Sequence, residues 1–272
     1  MKIFDCVIYN GEDHLLDIRF NELDVDYFVI VESNLSFSGE QKGYRFDLNK
    51  FSKYKNKIRY IPIGDEKSDY KNKSYHPAFK AEKWQREFGV RNAILKGLHD
   101  CGPDDLVVIS DVDELPNLSL IDDQHDLFVF SQICCQFKFN LQNPGLTPFF
   151  GSKAIKYKYL GLPCELRLHD QTHLGITSYD HLKTKKIRNG GFHFSFCLSS
   201  EKIIEKVSFY GHNERRETIT AEHIEQCIQH KKDIWNGAFN YGKDTKELIL
   251  FPINFLPKYI QNNLEKFKDF LA

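Results

Sequence analysis

The stretch Leu106-Val-Val-Ile-Ser-Asp-Val-Asp-Glu114 runs four apolar residues straight into an acidic tail. A continuous β-branched run of that length reads as a strand covered on both faces, the habit of parallel sheets. It delivers Asp111 and Asp113 one residue apart, and an extended backbone would point both to the same side while Val112 stays in the core. Like charges held that close need a cation, a proton or a donor network. A hard divalent ion such as Mg²⁺ or Mn²⁺ suits two carboxylates and leaves positions for phosphate oxygens. An ordinary capped acidic turn is the plainer alternative.

Outward from this strand the chain repeats one pattern. Lys2–Tyr9 is a short apolar run, Asn10-Gly11 a turn, and Leu16, Phe20 and Leu23 follow at helical spacing. Tyr27–Glu32 and Ile58–Ile63 are two further strands, and Pro62 assigns the latter to an edge or a strand end. A helix is expected over 78–98, with Trp84, Phe88, Leu95 and Leu98 on its inner stripe. Strands alternating with helices predict an α/β fold, a mostly parallel central sheet with helices on both faces. Beyond residue 116 long strands are expected at 127–140 and 149–159, another at 190–197, and mostly helix over the last seventy residues. Thr220 would cap a helix whose inner stripe holds Ile224, Ile228 and Trp235. Lys183-Thr-Lys-Lys-Ile-Arg188 reads as a solvated basic turn. The simplest division is one domain, 1–272, in which 1–116 binds a ligand and 117–272 completes the site.

Composition narrows the function. The 272 residues carry 37 Lys and Arg against 38 Asp and Glu, a formal charge of -1. No global field would hold nucleic acid or an anionic membrane, so any anion must be met locally. No apolar run is long enough to span a bilayer and the start lacks a secretion-type apolar segment, which makes a cytoplasmic location the expectation. Seven cysteines without a CxxC pair read as reduced, buried thiols.

In an open parallel sheet the ligand lies beyond the carboxyl ends of the strands, which singles out Asn10, Glu32, Asp65 and the residues Ser110 to Glu114. Arg91 falls on the apolar stripe between Phe88 and Leu95, and Arg19 lies between Leu16 and Leu23. A guanidinium in such a place needs an anion, either a buried carboxylate or a bound diphosphate. In Gly190-Gly-Phe-His-Phe-Ser-Phe-Cys197, alternation sends Phe192, Phe194 and Phe196 to the core and His193 to a cleft, as a ligand or a structural donor. His212 and Glu214 offer an acid/base pair.

Four stretches together carry a resemblance. They are Phe4-Asp-Cys6 with Asn10-Gly-Glu-Asp-His-Leu-Leu-Asp-Ile-Arg-Phe-Asn-Glu-Leu23; Val25-Asp-Tyr-Phe-Val-Ile-Val-Glu32 with Phe37-Ser-Gly39; Arg91-Asn-Ala-Ile94 with Val108-Ile-Ser-Asp-Val-Asp-Glu-Leu-Pro116; and Gly191-Phe-His-Phe-Ser195 with Lys206, Ser208-Phe209 and His212-Asn-Glu214. The chain resembles glycosyltransferase family 17. The resemblance implies a GT-A type fold, a UDP-sugar donor, UDP-N-acetylglucosamine above others, a glycan acceptor and an inverting, metal-dependent transfer. Asp111 and Asp113 become a DxD motif for Mn²⁺ or Mg²⁺, with His193 a further ligand. Glu32, Arg91, Arg19 and Asp111 become donor contacts. The general base is sought among Glu214, Glu165 and Glu114, with His212 behind them. Residues 1–116 are then the nucleotide-sugar portion and 117–272 the acceptor side. Phe192 stands where the family usually has Trp. Two other classes share parts of this pattern: phosphohydrolases with a strand-end Asp-x-Asp, and non-catalytic carbohydrate-binding proteins.

Overall fold

A computed structural model of the chain describes residues 1–68, 81–169, 177–209, 219–235 and 247–272. The expected β-α-β opening is present: β1 (Ile3–Ile8), α1 (Asp13–Glu22), β2 (Tyr27–Ser33) and β3 (Ile58–Ile63). Next come α2 (Glu82–Asn92), β4 (Leu106–Asp111) and a short β5 (Glu114–Pro116). The second half supplies β6 (Leu127–Phe130), β7 (Ile133–Gln136), β8 (Leu141–Gln142), β9 (Lys153–Lys156), α3 (Pro163–Leu168), β10 (Thr184–Ile187) and β11 (Gly191–Ser195). It ends with α4 (Ser200–Phe209), α5 (Ala221–Gln229), β12 (Ile249–Leu250) and α6 (Lys258–Gln261).

Seven strands form one sheet in the order β10-β6-β9-β4-β1-β2-β3, and five form a second in the order β12-β8-β7-β11-β5. In the larger sheet β4, β1, β2 and β3 run parallel, as do β6 and β10, while β9 runs against both its neighbours. The alternation along β1 divides the core. Phe4, Cys6 and Ile8 meet Val90 and Ile94 on the α2 side, whereas Val7 and Tyr9 meet Leu15, Leu16 and Ile18 of α1, with Ile260 and Phe267 beyond. Each such side chain contributes about 1.5–3 kcal/mol by leaving water. A third cluster, Ile203, Val207, Ile224 and Cys227, joins α4 to α5.

Several expectations change here. The helix over 78–98 stops at Asn92, and the chain winds more tightly from Ala93 to Gly97. Three residues per turn instead of 3.6 rotates the stripe, so Leu95 is exposed rather than buried. The run 127–140 breaks into β6 and β7, which join different sheets, and 149–159 shortens to β9. The stretch read as a basic turn is β10, an edge strand that pairs parallel to β6. The last residues form short turns around α6 rather than long helices. Thr220 does cap α5, accepting from the backbone N–H of His223 at 3.1 Å, and Ile224 and Trp235 are buried. Among the described residues no helix is long and apolar enough to cross a membrane.

Both edges of the larger sheet are guarded, β3 by Pro62 and β10 by Lys185 and Lys186. The smaller sheet ends on β12, whose Ile249 and Leu250 are 52% and 48% exposed. All seven cysteines are free, and burial pushes the thiols of Cys6, Cys135 and Cys197 well up, which leaves them unreactive.

His14 of α1 stacks on Phe270 with ring centroids 4.4 Å apart, its Nε2 2.9 Å from the Cys197 carbonyl oxygen. Burial lowers its pKa to about 4. The unfolded chain takes up this proton near pH 6.5 and the folded chain declines it until about pH 4. Stability is therefore complete above about 6.5 and falls as pH drops through that window. Urea unfolding between pH 7.5 and 4.5 should show the slope, and His14→Gln should flatten it.

Candidate active site

Strand order reverses beside β1: the chain leaves it for β2 on one side and returns as β4 on the other. The crevice at such a switch point is where open α/β sheets bind ligands. Ile8 at the end of β1 is in register with Asp111 at the end of β4. Above them the β1–α1 turn passes through Gly11 at φ 105°, a conformation that favours glycine, and Glu12 accepts the Asn10 backbone N–H at 3.0 Å.

The strand stops at Asp111, and Val112 and Asp113 form a turn before β5 begins. Val112 is buried in the core as expected. The two carboxylates, however, take different partners instead of sharing one side of an extended strand. Asp111 lies on the α2 and α3 face, accepting from Arg91 Nη2 and Arg167 Nη2, each at 2.8 Å. Asp113 turns towards α4 and β11, with Lys206 Nζ at 2.9 Å and His193 Nε2 at 3.7 Å. Burial opposes ionisation of Asp111, but the guanidiniums of Arg167 and Arg91 outweigh it and hold its pKa at about 2. Burial likewise opposes ionisation of Asp113, and Lys206 and His193 hold that carboxyl well below the usual range. Both are charged at neutral pH.

The remaining expected residues divide. Arg91 is in the site, 3% exposed, and its buried Nη1 has no hydrogen-bond partner among the described residues. His193 is in the site too, with the Phe149 ring 4.1 Å from its own and its Nδ1 likewise unpartnered. Of the three phenylalanines expected in the core, Phe194 is buried while Phe192 and Phe196 are half-buried.

Arg19 is a correction: it grips Asp5, with Nε 2.9 Å from Oδ2, and donates to the carbonyl oxygen of Glu114. Fully buried by these bonds, it braces the Asp-Val-Asp turn and has nothing left for a nucleotide. Glu32 is a second correction. Its buried carboxylate accepts from the backbone N–H of Arg45 and Phe46 and from the Tyr60 hydroxyl, at 2.7, 3.1 and 2.8 Å, so it anchors the 40–46 segment instead of facing a ligand. Glu114 is the third. It is completely buried, and Arg167 Nη1, Ser152 Oγ and the Asp111 N–H approach Oε2 at 3.0, 3.2 and 3.2 Å, while Oε1 takes Arg167 Nη2. No oxygen remains to accept a substrate proton. Glu165 on α3 is half-buried, with one oxygen accepting from Ser178. Asp65 pairs with Arg86. His212 and Glu214 lie outside the described residues.

Sequence reasoning gave no role to Arg167 or Lys206. Burial opposes the charge on each, yet Asp111 and Glu114 raise the pKa of Arg167, and Asp113 and Glu12 that of Lys206. Arg167 reaches Asp111 and Glu114 across Gly151, where a Cβ would collide with the Glu114 carboxylate and the Arg167 guanidinium. Gly151→Ala should therefore cost about 1–3 kcal/mol of stability by overpacking. It should also reduce turnover, because Arg167 can no longer hold Asp111. Thermal melts and steady-state rates on the same preparation check both.

Mg²⁺ and Mn²⁺ bind proteins through one or two carboxylates and take their other oxygens from substrate phosphates and water. Asp113 Oδ1 and His193 Nε2 stand 3.7 Å apart as an ion pair; burial opposes the charge on His193, but Cys134 and the Asp113 carboxylate raise its pKa well above the ordinary value. Once His193 gives up that proton, an ionised oxygen and an imidazole nitrogen side by side fit such an ion. Among the described residues no group of three or more such side chains surrounds one point.

A comparison with solved structures returns an active-site mutant of LgtC, at TM-score 0.32 and 12% identity over 68% of this chain and 72% of that one. It also returns an inositol-1-phosphate CTP transferase from T. maritima, at TM-score 0.35 and 12% identity over 81% and 98%. Among curated proteins, the beta-1,4-mannosyl-glycoprotein 4-beta-N-acetylglucosaminyltransferases of Homo sapiens and Rattus norvegicus are each 24% identical over 233 residues. The match covers 76% of this chain and 42% of each relative, so it takes in less than half the length of those relatives. The family model for glycosyltransferase family 17 matches residues 1–272. That match places it: the chain belongs to glycosyltransferase family 17.

Proposed function

We propose that the chain transfers N-acetylglucosamine from UDP-N-acetylglucosamine to a glycan hydroxyl in a single inverting displacement, on a GT-A arrangement. The observation that carries this reading is the pair of ionised carboxylates, Asp111 and Asp113, at the β1/β4 switch point among Arg91, Arg167, Lys206 and His193. The sugar is suggested by the names of the human and rodent relatives.

In this scheme the acceptor oxygen bonds to the anomeric carbon as the bond from that carbon to the diphosphate oxygen breaks. The diphosphate leaves with the electron pair, and the hydroxyl proton passes to a base. Arg91, whose Nη1 has no hydrogen-bond partner among the described residues, donates to a diphosphate oxygen. Arg167 keeps Asp111 ionised and in place. A Mn²⁺ or Mg²⁺ ion held by Asp113 and His193 would supply positive charge against the leaving diphosphate. Glu214, with His212 beside it in sequence, takes the role of base, and Glu165 is the next carboxylate to test.

The direct experiment is a panel of UDP-, GDP- and CMP-sugars incubated with the protein in Mn²⁺ or in EDTA, with nucleotide release measured. Release of UDP from UDP-N-acetylglucosamine above the others, lost in EDTA, is the expected result. Failure to release nucleotide from any donor, together with no calorimetric binding of UDP, would sink the reading.

A further inference from the structure

Asp113 already holds a cation. Lys206 leaves α4 one turn before its end and puts Nζ 2.9 Å from Asp113 Oδ2, with a side chain only 23% exposed. The same Nζ stands 3.4 Å from Glu12 Oε1. Glu12 is itself fixed, buried at the start of α1 and bonded to the Asn10 N–H. Lys206 thus has two anionic seats within reach of one ammonium, and one of them is a carboxylate that the proposed ion needs.

We propose that Lys206 is the resident counter-cation of Asp113, and that a divalent ion binds there only by displacing the ammonium from Asp113 towards Glu12. The inference rests on the metal reading given above. An ammonium and a divalent ion on one buried carboxylate repel each other strongly, because little water lies between them. A buried carboxylate with no cation at all would be worse, since its desolvation would go uncompensated. Lys206, the nearer of the two cations beside Asp113, therefore joins His193 in keeping the turn charged and folded when no ion is bound, and it opposes the ion's entry. A sugar nucleotide changes the balance, because its diphosphate brings oxygens that both the ion and the displaced ammonium can use. Metal affinity should consequently be weak alone and stronger with nucleotide. Lys206 acts through Asp113 and is a positioning residue.

The test is a Mn²⁺ titration of the full chain, following the free-ion electron paramagnetic resonance signal, with and without UDP. Without nucleotide, Lys206→Met should bind Mn²⁺ at least about tenfold more tightly than the parent, as expected for removal of a close like charge. Lys206→Arg, whose fork can grip a carboxylate through two bonds, should bind it no more tightly than the parent. With UDP the gap between Lys206→Met and the parent should narrow. Equal Mn²⁺ affinity in the parent and Lys206→Met would overturn the inference while leaving the metal site standing. Absence of Mn²⁺ binding in every form, with or without UDP, would overturn the metal site and this inference together. Should Lys206→Met fail to melt cooperatively, Lys206→Arg binding more tightly than the parent would overturn it alone.

Discussion

Asp113→Asn should lower glycosyl transfer by roughly 10²–10³-fold, the scale on which removal of one preorganised charged group from an active site is felt. The fold should survive, because the asparagine carbonyl can still accept from Lys206 Nζ, now at 2.9 Å from the carboxylate. The backbone bond from the Phe194 N–H to the Asp113 carbonyl oxygen, at 2.7 Å, is untouched. What disappears is the negative charge that pairs with His193 and Lys206 and that a divalent ion would use. Turnover of UDP-N-acetylglucosamine and a thermal melt on the same sample make the comparison, and full activity in this variant would contradict the role given to Asp113.

The second large effect is on stability. Arg19→Met should cost about 3–5 kcal/mol, because it leaves a buried carboxylate without its cation. Asp5 and Arg19 are each 1% exposed, and Arg19 also donates to the Glu114 carbonyl oxygen. Against a typical total stability of about 5–15 kcal/mol, that loss brings the protein near unfolding at moderate temperature. Replacing both partners, Asp5→Leu with Arg19→Met, should recover much of the loss, since two apolar groups leave no uncompensated charge. Urea denaturation of the parent, the single variant and the pair would decide it. A single variant within about 1 kcal/mol of the parent would show that the ion pair does not brace the turn.

The parts of the site that were legible in the sequence are those whose neighbours are close along the chain. Asp111 and Asp113 stand out because four apolar residues precede them, and Arg91 because it interrupts the stripe of Phe88 and Leu95. Arg19 was legible as a buried guanidinium, but not the identity of its anion, which lies on β1. Glu32 likewise read as a strand-end acid. Two of its three donors are backbone N–H groups more than ten residues on, and backbone donors leave no mark in a sequence. Arg167 was invisible, and Lys206, quoted only within the resemblance, carried no role, for a related reason. They meet Asp113 and Asp111 across separations of 93 and 56 residues, and a basic residue on a short amphipathic helix reads by default as solvated. The smaller sheet was missed because β5, β8 and β12 have three residues or fewer, too short for alternation to register. The strand β10 was hidden by its lysines, which serve as edge protection rather than as turn chemistry.

The contrast between the guarded rims of the larger sheet and bare Ile249 and Leu250 on β12 bears on handling. Molecules pressed together during concentration can meet through this greasy corner at the end of the smaller sheet. At two residues it is too narrow to template a long stack. Losses on storage should take the form of loose, salt-sensitive clumps that redissolve on dilution, and not of fibres.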